Sequence, residues 1–258
     1  MPYYERRIYC GDLLEIKRYY GTKGGRPLGS KNKSETKTSD ELADAQSWRK
    51  LTRITACNFS RKNGDMCLTL TFRNWVDRNA AARAYEKFLR KLRTMRKKRG
   101  LEELKYIIVK EVQSGRQHAH LIINGGIELK ELDELWGQGA AWCSMLEDTT
   151  TYKELAAYLL RQHKPRRGGG SDENAKEQRQ KGSRRWTCSR NLKKPIVKRR
   201  LCREVTLHTV PRAPKGYRLT VGFEQDVDLW GYLWIEWRCI REDVGKPPKP
   251  KGGGKYAD

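Results

Sequence analysis

The sequence predicts an α+β fold built on an antiparallel split βαβ sheet of the ferredoxin-like kind. Two observations predict it. Between residues 61 and 163 the hydrophobic period switches repeatedly between 2 and 3.6, in the order β-α-β-β-α-β-α. The two central strands are joined by two residues, Ser114-Gly115, which specifies a hairpin. That element order fits a sheet with one face left open, where chemistry or nucleic acid can be placed.

Each element has its own signal. Met66 to Arg73 alternates strictly, with Leu68, Leu70 and Phe72 on one side and Thr69, Thr71 and Arg73 on the other. Over residues 77–98, Ala81, Ala84, Tyr85, Phe88 and Leu92 recur at helical spacing, and Gly100 ends the helix. Leu104 to Gln113 and Arg116 to Asn124 read as the hairpin strands. Glu128 to Trp136 is a short amphipathic helix and Ala140 to Leu146 a fourth strand. Tyr152 to Gln162 is the closing helix, with Thr151 and Glu154 at capping-box spacing. Helices are expected on one face of the sheet, with the other face open.

Five regions follow: a basic N-terminal region (1–60, partly disordered, with a helix near 41–56), the sheet domain (61–163), a flexible linker (164–184), a β-containing region (185–244) and a disordered tail (245–258). In the fourth region Tyr217 to Val221 and Leu229 to Ile240 read as strands. Tyr232 and Trp234 there offer aromatic rings for stacking or for core packing.

The formal charge is +24, from 55 Lys and Arg against 31 Asp and Glu. Such a charge attracts polyanions, and nucleic acid is the first candidate because phosphate contacts release counterions. No apolar run is long enough to span a bilayer, so no membrane partner is expected. The seven cysteines are scattered singly with no Cys-x-x-Cys, which argues against a disulfide framework or zinc ribbon and for a reduced, cytoplasmic protein.

The hairpin can be put in register. With Ser114-Gly115 as the turn, Glu111 faces His118, Val109 faces His120 and Ile107 faces Ile122. Opposed residues share a face, with Cβ atoms about 4.5–5.5 Å apart. Glu111, His118 and His120 therefore cluster, with Thr69 and Thr71 as candidates for the same face. Two imidazoles and a carboxylate on a rigid patch suit a divalent cation and leave positions open for phosphate oxygens.

His118-Ala119-His120 resembles the His-hydrophobe-His motif of the HUH endonucleases, which include the initiators of rolling-circle replication in plasmids and filamentous phages. Leu68-Thr-Leu-Thr-Phe72 resembles the strand preceding that motif. Tyr106-Ile-Ile-Val-Lys-Glu111 looks like the other half of the metal-binding hairpin. Leu155-Ala-Ala-Tyr158-Leu-Leu-Arg161 resembles the nucleophile motif Tyr-x-x-Lys, with arginine in place of lysine. Trp186-Thr-Cys-Ser-Arg-Asn-Leu-Lys-Lys-Pro195 is also similar to a stretch of phage-type initiators. The resemblance spans roughly residues 60–200.

It implies an HUH endonuclease fold, a Mg2+ or Mn2+ ion held by Glu111, His118 and His120, and Tyr158 as nucleophile with Arg161 beside the phosphate. The helical wheel agrees on the tyrosine. Tyr152 falls on the apolar stripe with Leu155, Ala156, Leu159 and Leu160, whereas Tyr158 lies off it. The implied partners are single-stranded DNA, an origin hairpin or duplex, and host replication proteins.

Gly24-Gly-Arg-Pro-Leu-Gly-Ser-Lys-Asn-Lys33 resembles an AT-hook with glycine before Gly-Arg-Pro, which would put Arg26, Lys31 and Lys33 in a minor groove. Arg96 and Lys97 end the long basic helix and could grip a duplex backbone. Thr69, Thr71, Arg73 and Arg116 are expected along the DNA path. Two other readings use the same residues: a transposase or relaxase of the same superfamily, and a non-catalytic nucleic-acid binder. The latter would show aromatics on the central strands instead of Glu111, His118 and His120.

Overall fold

Two antiparallel sheets carry the chain, in a computed structural model that describes residues 2–22, 26–27, 39–113, 116–146, 152–161, 184–228 and 230–242. They belong to two units. One comprises Lys31–Pro195; the other is discontinuous and comprises Met1–Ser30 and Ile196–Asp258. The proposed Gly24–Lys33 arm (apart from Arg26 and Pro27), the Ser114-Gly115 turn, the Thr151 cap, nearly all of the 164–184 linker and the 245–258 tail lie outside the described residues.

The Lys31–Pro195 unit contains α1 (Ser39–Asn58), β4 (Met66–Thr71), α2 (Arg78–Lys98), β5 (Tyr106–Gln113), β6 (Arg116–Ile123), α3 (Leu129–Trp136), β7 (Ala141–Met145), α4 (Lys153–Arg161) and β8 (Thr187–Cys188). Its strand order is β7-β4-β6-β5-β8. The first four strands give the split βαβ arrangement that the sequence predicts, and β8 extends the sheet beyond β5.

Local chemistry sets the helix ends. The Asp77 carboxylate accepts hydrogen bonds from the Asn79 and Ala80 amides at 2.7 and 2.9 Å and so caps α2. Gly100, at φ +64°, follows its last turn. Glu128 and Glu131 form a capping box on α3, and Gly137 closes it in the left-handed region. Gly139 sits where the chain re-enters the sheet; a Cβ there would lie 2.3 Å from the Thr71 carbonyl oxygen, so no side chain fits.

On one face Leu68, Leu70, Ala119, Leu121 and Ile123 pack against Tyr85, Phe88 and Leu92 of α2 and Leu132 and Trp136 of α3. The Trp136 ring lies 5.0 Å from Phe72 and stacks on Tyr85 at 5.6 Å, while its Nε1 donates to the Thr71 carbonyl.

The opposite face is not open along its length, as the sequence reading expected. Cys67, Ile107, Val109 and Ile122 are covered by Leu51 of α1 and by Ala156, Leu159 and Leu160 of α4. The end bearing His118 and Glu111 carries the titratable side chains of the cluster. The apolar residues at the other end need a cover, and the closing helix and α1 supply it. Helix α1 and residues 186–193 therefore belong to this unit rather than to terminal regions. The Trp186 indole donates to Ser47, and Asn58 exchanges hydrogen bonds with the Lys193 backbone.

In the other unit, strands occupy much of residues 3–22, within the N-terminal region expected to be basic and partly disordered. β1 (Tyr3–Cys10) and β2 (Leu13–Thr22) form a hairpin, with the short β3 (Arg26–Pro27) on β2. They join β9 (Ile196–Cys202), β10 (Tyr217–Val227) and β11 (Leu233–Arg241) in the order β10-β11-β2-β1-β9. Its core contains Tyr3, Leu14, Ile16, Ile235, Trp237 and Cys239. The alternation read in 229–240 thus buries Ile235 and Trp237. Trp234 lies on the other side under a cation–π contact from Lys17 at 3.7 Å. All seven cysteines are free thiols. Among the described residues, no helix is long and apolar enough to cross a membrane.

Candidate functional site

The hairpin register is the one read from the sequence: Glu111 pairs with His118, Val109 with His120 and Ile107 with Ile122. Strand β4 adds its own register, with Thr69 opposite His120 and Thr71 opposite His118. The period of 2 then puts Thr69, Thr71, Glu111, His118 and His120 on one face, beside the apolar patch that α1 and α4 cover.

His120 is the centre of this cluster. Its Nδ1 shares a 3.0 Å hydrogen bond with the Thr69 hydroxyl, and its Nε2 lies 3.2 Å from Glu111 Oε2. Because a carboxylate only accepts, the tautomer that makes both contacts carries its proton on Nε2: Nε2–H donates to Glu111 and Nδ1 accepts from the Thr69 hydroxyl. Both side chains are buried, His120 at 5% and Glu111 at 6% exposure.

The 3.2 Å separation is that of a hydrogen-bonded His–Glu pair, and both side chains carry atoms that could serve as ligands to a divalent cation. The hydroxyl on Nδ1 is the kind of orienting partner that metal-bound imidazoles require. Burial, with the neighbouring His120 and Arg116, pushes the His118 imidazole down against the opposing pull of Glu111. This favours the neutral imidazole, the form that can donate to a metal. Among the described residues no group of three or more His, Cys, Asp or Glu side chains already stands in position to hold an ion. Glu111 and His120 are hydrogen-bonded, and His118 lies on the same face opposite Glu111, so the three are the side chains that could hold a cation.

Tyr158 joins this cluster from α4. Its ring is edge-to-face with that of His120, centroids 5.9 Å apart at 72°, and its side chain is 54% exposed. Tyr152 behaves oppositely. It is buried, its hydroxyl donates to the Phe59 carbonyl at 2.9 Å, and its backbone at φ +47° opens α4. Arg161 ends α4, one turn after Tyr158; its side chain lies outside the described residues.

The remaining expected contacts divide. Arg73, Arg116 and Lys97 are exposed. The Thr71 hydroxyl donates to the Ala140 carbonyl and accepts from the Ala140 amide, which ties β4 to the start of β7. Arg96 departs from its expected place on DNA. It is 3% exposed, and its guanidinium donates to the backbone carbonyls of Glu102, Asn124 and Gly125. The helical period contains the signal, since Phe88, Leu92 and Arg96 follow one another at intervals of four on the inward stripe. Arg26 lies in β3, with its side chain outside the described residues, as are Lys31 and Lys33 entirely.

One neighbour of the cluster has no counterpart in the sequence reading. Trp142 of β7 pairs with Thr69, on the same face, and is 67% exposed.

The model of the replication-associated protein ORF2/G2P family matches residues 65–163. That stretch takes in β4, β5, β6, β7 and α4, and so every member of the cluster including Tyr158. Comparison with curated proteins and with solved structures gives no match.

Proposed function

We propose that this protein is a replication initiator of the HUH type, which nicks single-stranded DNA through Tyr158 to begin rolling-circle replication. The observation that carries the reading is the contact of the exposed Tyr158 ring with His120, itself bonded to Thr69 and Glu111. The match to a replication-associated family over the same residues supports it.

Glu111, His118 and His120 would hold the divalent cation, Mg2+ or Mn2+, which when bound polarises the scissile phosphate. The chain does the rest. Arg116 and Arg73, both exposed, attract the phosphate backbone toward the polar end of the sheet. The Tyr158 oxygen attacks phosphorus, forming a phosphotyrosyl ester as the bond to the 3′ oxygen breaks. The tyrosine proton is balanced by the one gained at the 3′ oxygen. One phosphodiester replaces another, so the 3′-hydroxyl can prime synthesis by host replication proteins and the strand can later be resealed. Arg161, one turn from Tyr158, offsets charge on the phosphate oxygens. The substrate is single-stranded DNA at an origin hairpin or its flanking duplex.

The test is a nicking assay on labelled single-stranded and hairpin DNA with Mg2+ or Mn2+, using wild type, His120→Ala and Tyr158→Phe. A metal-dependent nick and a covalent adduct in wild type, both absent from the variants, are expected. Tight, salt-sensitive binding without any adduct would overturn the reading in favour of a non-catalytic DNA binder.

A further inference from the structure

The registers of four strands line up one row of side chains across the polar face. Trp142 of β7 is opposite Thr69 of β4, Thr69 is opposite His120 of β6, and His120 is opposite Val109 of β5. Paired residues share a face, and adjacent strands are about 4.8 Å apart, so the indole stands roughly 10 Å from the imidazole along the row. A nucleotide flanking a phosphate held at His120 can cover that span.

Trp142 is two-thirds exposed; Trp75 and Trp230 are exposed too, and of these three it is the one paired in the sheet with Thr69. Its strand neighbours Ala141 and Cys143 face the α2–α3 core, whereas Trp142 faces away from it. The indole is thus held at one end by a paired strand and open at the other. Exposed Arg116 lies on the same face beyond His118, and the chain carries a charge of +24. An open aromatic ring on a basic protein is the kind of group that stacks on unpaired bases, because every base offers a π-face.

We propose that Trp142 is a base-stacking platform of the nicking site, positioning a nucleotide next to the scissile phosphate without reading its sequence. The inference rests on the proposed function and names how that site grips a single strand. The ligand is an unpaired nucleotide of single-stranded DNA. In a duplex its π-face is already covered by neighbouring bases. Trp142 is a positioning residue, since it acts through the placement of the strand.

The experiment separates binding from chemistry. Full-length protein in EDTA is titrated into a fluorescently labelled 12-mer of thymidylate and into the same 12-mer with abasic sites, with anisotropy as readout. Wild type should prefer the intact strand. Trp142→Ala should bind it about 5- to 150-fold more weakly and lose most of the preference over the abasic strand, and Trp142→Tyr should recover most of both. Equal weakening for the two strands, no weakening, or no preference in wild type would each overturn the proposal. Because no cleavage is involved, failure of the nicking assay and failure of this titration are distinct results.

Discussion

Glu5 and Glu111 are carboxylates buried in mid-strand, one in each sheet, at 1% and 6% exposure. Their surroundings differ in kind. Glu5 accepts hydrogen bonds from Arg7 and Arg18 at 2.8 Å and from Arg200 at 2.9 Å, three guanidiniums that are charged at every accessible pH. Burial pushes its pKa up, but the hydrogen bonds from Arg18 and Arg7 and their charges outweigh burial and hold it below the ordinary value. Glu111 instead faces His118 across the hairpin and His120 at 3.2 Å, imidazoles that can give a lone pair to a cation. The comparison teaches that burial of a carboxylate does not mark a site. Glu5 is held by three guanidiniums in a structural clamp, whereas the partners of Glu111 include imidazoles, side chains that can also serve as ligands.

The largest expected effect breaks the clamp. Glu5→Ala leaves several guanidiniums without their counter-charge and should cost about 3–5 kcal/mol, read as a lower denaturant midpoint. Glu111→Gln should leave the midpoint nearly unchanged but abolish stabilisation of the protein by Mn2+, measured as the thermal shift on adding metal. If Glu5→Ala proves neutral, the distinction between the two carboxylates fails.

A smaller effect concerns orientation. Thr69→Val keeps the shape of the side chain but removes the hydroxyl from His120 Nδ1, and should lower metal affinity or nicking about 10–100-fold. The adjacent pair Arg96 and Lys97 offers a parallel contrast. Arg96→Met leaves three carbonyls unpaired and should cost about 2–3 kcal/mol. Lys97→Ala should leave stability alone and reduce the salt slope of DNA binding by about one.

The smallest effect is in pH. A carboxyl held below its ordinary value of 4.5 contributes stability that is fully present above that value and is lost as pH falls through the folded value. Acid titration followed by tryptophan fluorescence should therefore show destabilisation below about pH 4.5, and Glu5→Gln should remove that component.

The two sheets were unequally legible. The cluster of Glu111, His118 and His120 could be read because a two-residue connection fixes register and a period of 2 then sorts every side chain, whereas Thr69 stayed a candidate because α2 and β5 separate β4 from β6. Tyr158 could be told from Tyr152 by the helical wheel alone. Trp142 could not be assigned, because α2, the hairpin and α3 separate β7 from β4, and no local signal sets that register. The cover supplied by α1 and α4 was missed for a similar reason. The hairpin of β1 and β2 was hidden by its own chemistry. Glu5, Arg7 and Arg18 occupy positions in line with Tyr3, Ile16 and Leu14, so charge interrupts the apolar alternation at the residues that form the clamp.

The central claim is that Tyr158 is the nucleophile, and trypsin supplies a direct test. Lys153 separates the two candidates, so Tyr158 falls in the peptide Glu154–Arg161 and Tyr152 in the peptide before it. Wild-type protein trapped on single-stranded DNA with Mn2+ is digested with nuclease and trypsin and examined by mass spectrometry. The account predicts a nucleotide mass on Glu154–Arg161. A nucleotide on the peptide ending at Lys153, or on any other part of the chain, would contradict it.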